Sequence, residues 1–263
     1  GAMYDATTAS KNVSIGYQSL ANLTTGDSNV AIGYQAADAL TTGFKNVAIG
    51  DSALSSDDVG AGHIAIGGNA LVTQNFASVN NEFEANISIG NKSSHNNTTG
   101  NMNVVIGTAA KYTDDEGNQT TAIGHQAMYS QNMASSTTTA NVGVGHKVGY
   151  YNVTGTNNTW LGYQAGLGAS GNSNSSNVGI GYSALTAITT GGSNVAIGDG
   201  AGDTITTGTQ NILIGKDAGG GSNMAAYSDN VFVGHQAGQS NNASENTFVG
   251  HQSGYNTTTA GNT

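Results

Sequence analysis

One pentapeptide, Asn29-Val30-Ala31-Ile32-Gly33, is rewritten along the whole chain, and its spacing constrains the fold more than any other feature. Its closing glycine recurs at Gly16, Gly33, Gly50, Gly67, Gly90, Gly107, Gly124, Gly145, Gly162, Gly181, Gly198, Gly215, Gly234 and Gly250. Eight of the thirteen steps between these anchors are seventeen residues long, and the others are 16, 19, 21 or 23. A period of this length marks a repeat architecture, in which no unit buries a core alone and each stacks on its neighbours.

Aligned on the anchor, the fourteen copies form columns. The residue before the anchor is always Ile, Val or Leu, and two residues earlier stands Val or Ile, with Thr121, Thr159 and Thr247 as the exceptions. β-Branched residues at alternate positions predict a short strand with one buried face. Four residues before the anchor stands Asn in twelve copies, replaced by His63 and Thr120 in the other two. Stacked at the strand spacing of about 4.8 Å, such amides can form a ladder. A second glycine, seven residues before the anchor as in Gly26, Gly43, Gly60 and Gly100, predicts a corner with positive φ or a close backbone approach. The expected architecture is an all-β parallel solenoid of about fourteen coils over residues 12–254. Residues 1–11 read as a cleavage scar and lead-in, and 255–263 as the start of a further repeat.

Composition supports this and narrows the function. The 263 residues include 40 glycines, no proline and no cysteine, and only 8% are charged. Disorder would demand more charge and fewer β-branched residues. A net charge of −10 with six lysines and no arginine disfavours nucleic acid, because no cationic stripe is present to displace counterions. No apolar run reaches the ~18 residues of a membrane span, so membrane insertion is not expected.

The column between the two β-branched positions contains Ala31, Ala48, Ala65, Val105, Ala122, Trp160, Ala196, Leu213, Phe232 and Phe248, and none of its residues is charged. Its side chains must point to the opposite face from the β-branched columns. Exposed along a whole solenoid it would be an aggregation hazard, so the expectation is that it packs against partner chains.

Asn-Val-Ala-Ile-Gly-x-x-Ala/Ser, as at 29–36 and 194–201, resembles the YadA-like head repeat of trimeric autotransporter adhesins. With Tyr-Gln-Ala-Gly after the strand and Thr-Thr-Gly before the next, the pattern is also similar to repeats of bacteriophage and bacterial tail-fibre proteins. The resemblance covers nearly the whole chain, although the period of seventeen is longer than that of the adhesin head. It implies a left-handed β-roll and a homotrimer, acting as an extracellular adhesive fibre segment on a bacterial surface or virion. Such a segment would have no enzymatic activity and no cofactor, and would meet a host receptor or glycan.

Four segments lengthen the period: Leu71–Ala85, Met128–Ala140, Gly166–Asn174 and Lys216–Asp229. Loops on a rigid scaffold commonly carry contacts, and three of these carry apolar or acidic residues: Phe76, Glu82, Phe83, Glu84, Tyr129, Met133, Met224 and Tyr227. The same residues could instead fold these loops back over the coil or onto a neighbouring chain; if they face outward, the segment 71–85 is expected to form the main receptor-facing patch. Two other classes compete. The acidic clusters Asp57-Asp58, Glu82/Glu84 and Asp114-Asp115-Glu116 could serve a glycan-cleaving solenoid, though return loops favour solvated turns. Thr-Thr pairs at 24–25, 41–42, 98–99, 189–190 and 206–207 could serve an ice-binding face. Histidine follows the anchor at 125, 146, 235 and 251, where an exposed corner is expected rather than a metal site.

Overall fold

The computed structural model describes residues 2–3, 7–76, 85–221 and 225–262, and contains no helix among them. Each repeat contributes one three-residue strand. Two compact units divide at residues 138 and 139. The first contains β1 (Val13–Ile15), β2 (Val30–Ile32), β3 (Val47–Ile49), β4 (Ile64–Ile66), β5 (Ile87–Ile89), β6 (Val104–Ile106) and β7 (Thr121–Ile123). The second contains β8 (Val142–Val144), β9 (Thr159–Leu161), β10 (Val178–Ile180), β11 (Val195–Ile197), β12 (Ile212–Ile214), β13 (Val231–Val233) and β14 (Thr247–Val249). Within each unit every strand pairs in parallel with the next in chain order, column on column, so that Val30 faces Val47 and Ala31 faces Ala48. This is a parallel β-solenoid.

The coil closes through residues held in the left-handed region. In the coil of β2 these are Ser28 (φ 61), Gly33 (φ 140), Gln35 (φ 51) and Ala37 (φ 49), and the same offsets recur in other coils, even with leucine at Leu20, Leu54, Leu71 and Leu185. Each non-glycine residue there costs roughly 1–2 kcal/mol. Backbone hydrogen bonds between coils offset that cost. Ser28 N–H donates to Ser10 O at 3.0 Å, Gln35 N–H to Tyr17 O at 2.9 Å and Ala37 N–H to Ala53 O at 2.9 Å. The anchors are glycine for a second reason. A Cβ on Gly33 would stand 2.4 Å from the carbonyl oxygen of Gly50, the next anchor. At the other corner, Gly26 needs no positive φ, but its Cβ would lie 2.1 Å from Gly43 O. Close approach is therefore what that second glycine serves.

The Asn column forms the expected ladder. Asn29 N–H donates to Asn12 Oδ1 at 2.8 Å, and Asn46 N–H to Asn29 Oδ1 at 2.9 Å. Most of the amide nitrogens then reach the corner of the next coil, as in Asn29 Nδ2 to Gly43 O at 2.9 Å. In the second unit the same rung runs from Asn141 through Asn158 and Asn177 to Asn194. A buried amide with its donor and acceptor both used is stabilising, whereas a buried unpaired one would cost about 1–3 kcal/mol.

The orientation of the strands corrects an expectation. The central column, from Ala31, Ala48, Ala65, Val105 and Ala122 to Trp160, Ala196, Leu213, Phe232 and Phe248, lies inside the coil, at 0–1% exposure except Phe248 at 8%. It is the core of its own chain and not a face turned to a partner. The flanking β-branched columns point outward. Val13, Ile15, Val142, Leu161, Ile197, Ile212, Ile214 and Val249 are 36–69% exposed.

The physical reason lies across the lumen, four residues after each anchor. In several coils a small strand centre faces a large residue there, as in Ala48 with Leu54 and Ala65 with Leu71. Where the centre is large, that position is glycine: Trp160 with Gly166, Leu213 with Gly219, Phe232 with Gly238 and Phe248 with Gly254. A Cβ on Gly166 would meet the Trp160 ring at 2.4 Å, and one on Gly238 the Phe232 ring at 2.4 Å. Four layers, such as Ala31 with Ala37 and Ala196 with Gly202, are small at both places, and a Cβ on Gly202 would meet Leu185 and Leu213 of the adjacent coils, so bulk is shared between layers as a close-packed interior requires.

Candidate functional site

Two sets of groups stand out: polar side chains inside the first unit and aromatic ladders outside both. Seven residues after the anchor the interior column begins with Leu23 and Leu40, then turns polar at Asp57, Gln74, Asn97, Asp114 and Gln131, all at most 1% exposed. Asp57 and Asp114 were expected in solvated turns, and that expectation is corrected. They point inward because they occupy an interior column, where backbone and amide donors reach them. Asp57 accepts from Gly60 N–H at 2.9 Å, and Asp114 from Gly117 N–H at 3.1 Å, Met133 N–H at 3.1 Å and Gln131 Nε2 at 2.6 Å. The lengthened segments thus send Gln74 and Gln131 into the core instead of bulging wholly outward.

Histidine 63 takes an Asn place in the ladder. Its backbone N–H donates to Asn46 Oδ1 at 2.9 Å, and its Nδ1 accepts from Asn86 N–H at 3.0 Å. An accepting Nδ1 leaves the proton on Nε2, which faces Asp57 Oδ2 at 3.5 Å. Burial lowers the His63 imidazole to about 4. Burial also raises the Asp57 carboxyl to about 6, against the pull of the Gly60 and Val59 amides. In the next polar layers Lys111 Nζ lies 3.0 Å from Asp114 and 3.2 Å from Asn97 Oδ1. Burial pushes the Lys111 ammonium below its ordinary value. Burial also pushes the Asp114 carboxyl up, but the Lys111 charge, the Gln131 amide and the Met133 N–H outweigh it and hold the carboxyl low.

The expected contact residues do not converge on one site. Phe76 is half-buried and stacks on the His63 ring at 5.5 Å. Tyr129 stacks on Tyr112 at 5.2 Å, and Tyr227 is half-buried. Of the two expectations for Met133, contact or folding back over the coil, the structure corrects the first: Met133 is 7% exposed beside Asp114 and is a core residue. Glu82, Phe83, Glu84 and Met224 lie outside the described residues.

A surface that the loop reasoning missed runs down the column after the anchor. Tyr17 and Tyr34 stack at 5.6 Å, His146 and Tyr163 at 5.1 Å, and Tyr163 and Tyr182 at 5.2 Å. Tyr17, Tyr34, Tyr163 and Tyr182 are 43–58% exposed. The column was legible as aromatic at these positions, but its neighbours became stacked pairs only with the coils in register. His235 and His251 stack likewise at 5.0 Å, and no group of three metal-ligating side chains occurs among the described residues. The first threonine hydroxyl of each Thr-Thr pair is used internally: Thr24 and Thr189 Oγ1 each donate to a carbonyl of the next coil at 3.0 Å. The open concavity lined by Thr25, Asp27, Ser28, Thr42, Phe44 and Lys45 gathers one carboxylate and one ammonium.

Fold and surface together define a class, a parallel β-solenoid repeat protein. Compared with protein-family profiles, curated proteins and solved structures, the chain matches none. No helix among the described residues is long and apolar enough to cross a membrane.

Proposed function

We propose that this chain is a passive, non-catalytic segment of an extracellular fibre, coiled left-handed and assembled as a homotrimer, that presents side-chain contacts to a cell-surface receptor or glycan. The supporting observation is the pair of outward β-branched columns. In the lone chain Ile15, Leu161, Ile212 and Val249 remain 40–69% exposed on their strands. Contiguous apolar rows of this kind mark protein interfaces. Coil handedness and the number three follow from the resemblance of the repeat to adhesin heads and tail fibres, which is an argument from analogy. The exposed tyrosine ladders beside these rows offer flat π-faces for stacking on sugar rings or protein.

Sedimentation at micromolar concentration tests the assembly. The parent chain is expected at three times its 26.3 kDa mass. Ile212→Lys with Ile214→Lys should give a folded monomer, because like charges would meet across the partner face. Phe232→Lys, by contrast, should unfold the chain, because Phe232 is 0% exposed inside the coil. A parent that sediments as a monomer defeats the assembly. A trimer that binds neither host cells nor arrayed glycans defeats the adhesive role.

A further inference from the structure

Of the six lysines only Lys111 lies inside a coil, fully buried at a position filled by Leu54, Leu71 or Met128 in other repeats. Its Nζ is 3.2 Å from the carbonyl oxygen of Asn97, which belongs to the preceding coil, and 3.0 Å from the Asp114 carboxylate. All three side chains are 0% exposed. Asn97 is held in place from its nitrogen, which donates to Gly100 O at 2.8 Å and to Gln74 Oε1. Asp114 is held by Gln131, Gly117 and Met133. An amine, a carboxamide and an acid–base group are thus fixed within contact, away from water.

We propose that Lys111 and Asn97 join in an intramolecular amide bond, with Asp114 as the catalytic residue. Asp114 takes a proton from the Lys111 ammonium, and the neutral Nζ attacks Cγ of Asn97. The Asp114 carboxyl protonates the developing oxyanion. As the carbonyl re-forms, the Cγ–Nδ2 bond breaks, and the second proton lost from Nζ passes through Asp114 to the departing nitrogen. Lysine ammonium plus carboxamide becomes secondary amide plus ammonium ion, with nothing oxidised or reduced and no co-reactant.

Three features favour the step. Burial destabilises the ammonium and favours the nucleophilic amine. Fixed neighbours gain the large effective concentration of an intramolecular reaction. Release of the nitrogen to bulk water also makes the step effectively irreversible, while Asp114 keeps its three protein donors. The bond would covalently tie the coil of β5 to the coil of β6. It does not depend on the fibre reading.

The experiment is the intact mass of the purified, folded chain under denaturing conditions. The expected mass is lower than the sequence mass by one ammonia. Because asparagine can also lose ammonia by closing on its own backbone, the link itself must be located. Met102 lies between the two residues, so cleavage after methionine should leave the fragments 4–102 and 103–128 joined, and trypsin should fail to cut at Lys111. Asp114→Ala should restore the full mass and separate the fragments. A folded parent with the full sequence mass, or with separable fragments, overturns the proposal. Loss of one water instead, indicating a bond from Lys111 to Asp114, overturns the assignment of Asn97. An Asp114→Ala chain that still forms the link overturns the role of Asp114.

Discussion

Replacing Trp160 with Ala is expected to cost about 3–5 kcal/mol in the second unit, the usual range for emptying a large aromatic site. Trp160 is the largest fully buried side chain and packs over Gly166 and Gly179. Gly166→Leu alone should also destabilise, by roughly 1–3 kcal/mol or more, since even its Cβ would stand 2.4 Å from the indole ring. The double substitution should recover a large part of both losses, because it recreates the Ala48 and Leu54 pair of the first unit. Leucine tolerates the left-handed backbone there, as Leu54 (φ 54) and Leu185 (φ 51) show. Denaturant unfolding of the four chains gives the coupling directly. If the double variant is as unstable as the sum of the singles, the lumen is not filled by exchange across the coil.

The buried pair Asp57 and His63 should show opposite pH slopes when separated. His63 lies at about 4 in the folded chain against an ordinary 6.5. Its neutral form is the one the fold accepts, so its contribution is intact above 6.5 and lost as pH falls toward 4. Asp57 lies at about 6 against 3.8. The fold prefers its protonated form, so stability falls as pH rises from about 3.8 to 6. Each shift corresponds to on the order of 3 kcal/mol. The two slopes oppose each other in the parent, whose stability from this pair should be nearly flat between pH 4 and 6. His63→Asn restores the ladder residue of the other repeats and leaves Asp57 alone, so stability should drop with rising pH across that window. Asp57→Asn should make stability climb with rising pH toward 6.5. Slopes of the same sign in both variants would contradict the burial of one of the two groups.

Much of this was legible in the sequence, and for a local reason. The strands sit where Val13, Val30, Val47 and their successors alternate with the anchor-side Ile column, because a three-residue alternation bounded by glycine leaves few other conformations. The Asn ladder follows from the same regularity, since identical residues in register meet at the strand spacing.

Which face turned inward was decided by tertiary structure alone. Both faces of the strand are apolar here, so alternation separates them without assigning them. The lumen admits Ala48 opposite Leu54 but not two rows of β-branched residues, and this leaves Ile15, Ile197 and Ile214 outside. Leucine at positive φ is likewise invisible to propensity, because the hydrogen bonds that offset its strain come from the adjacent coil. Asp57 and Asp114 read as turn residues by composition, whereas His63 stood in the Asn column. Asp57 and Asp114 became interior groups because stacking closed the column seven residues after the anchor, and Gln131 and Met133 of the next coil then donate to Asp114.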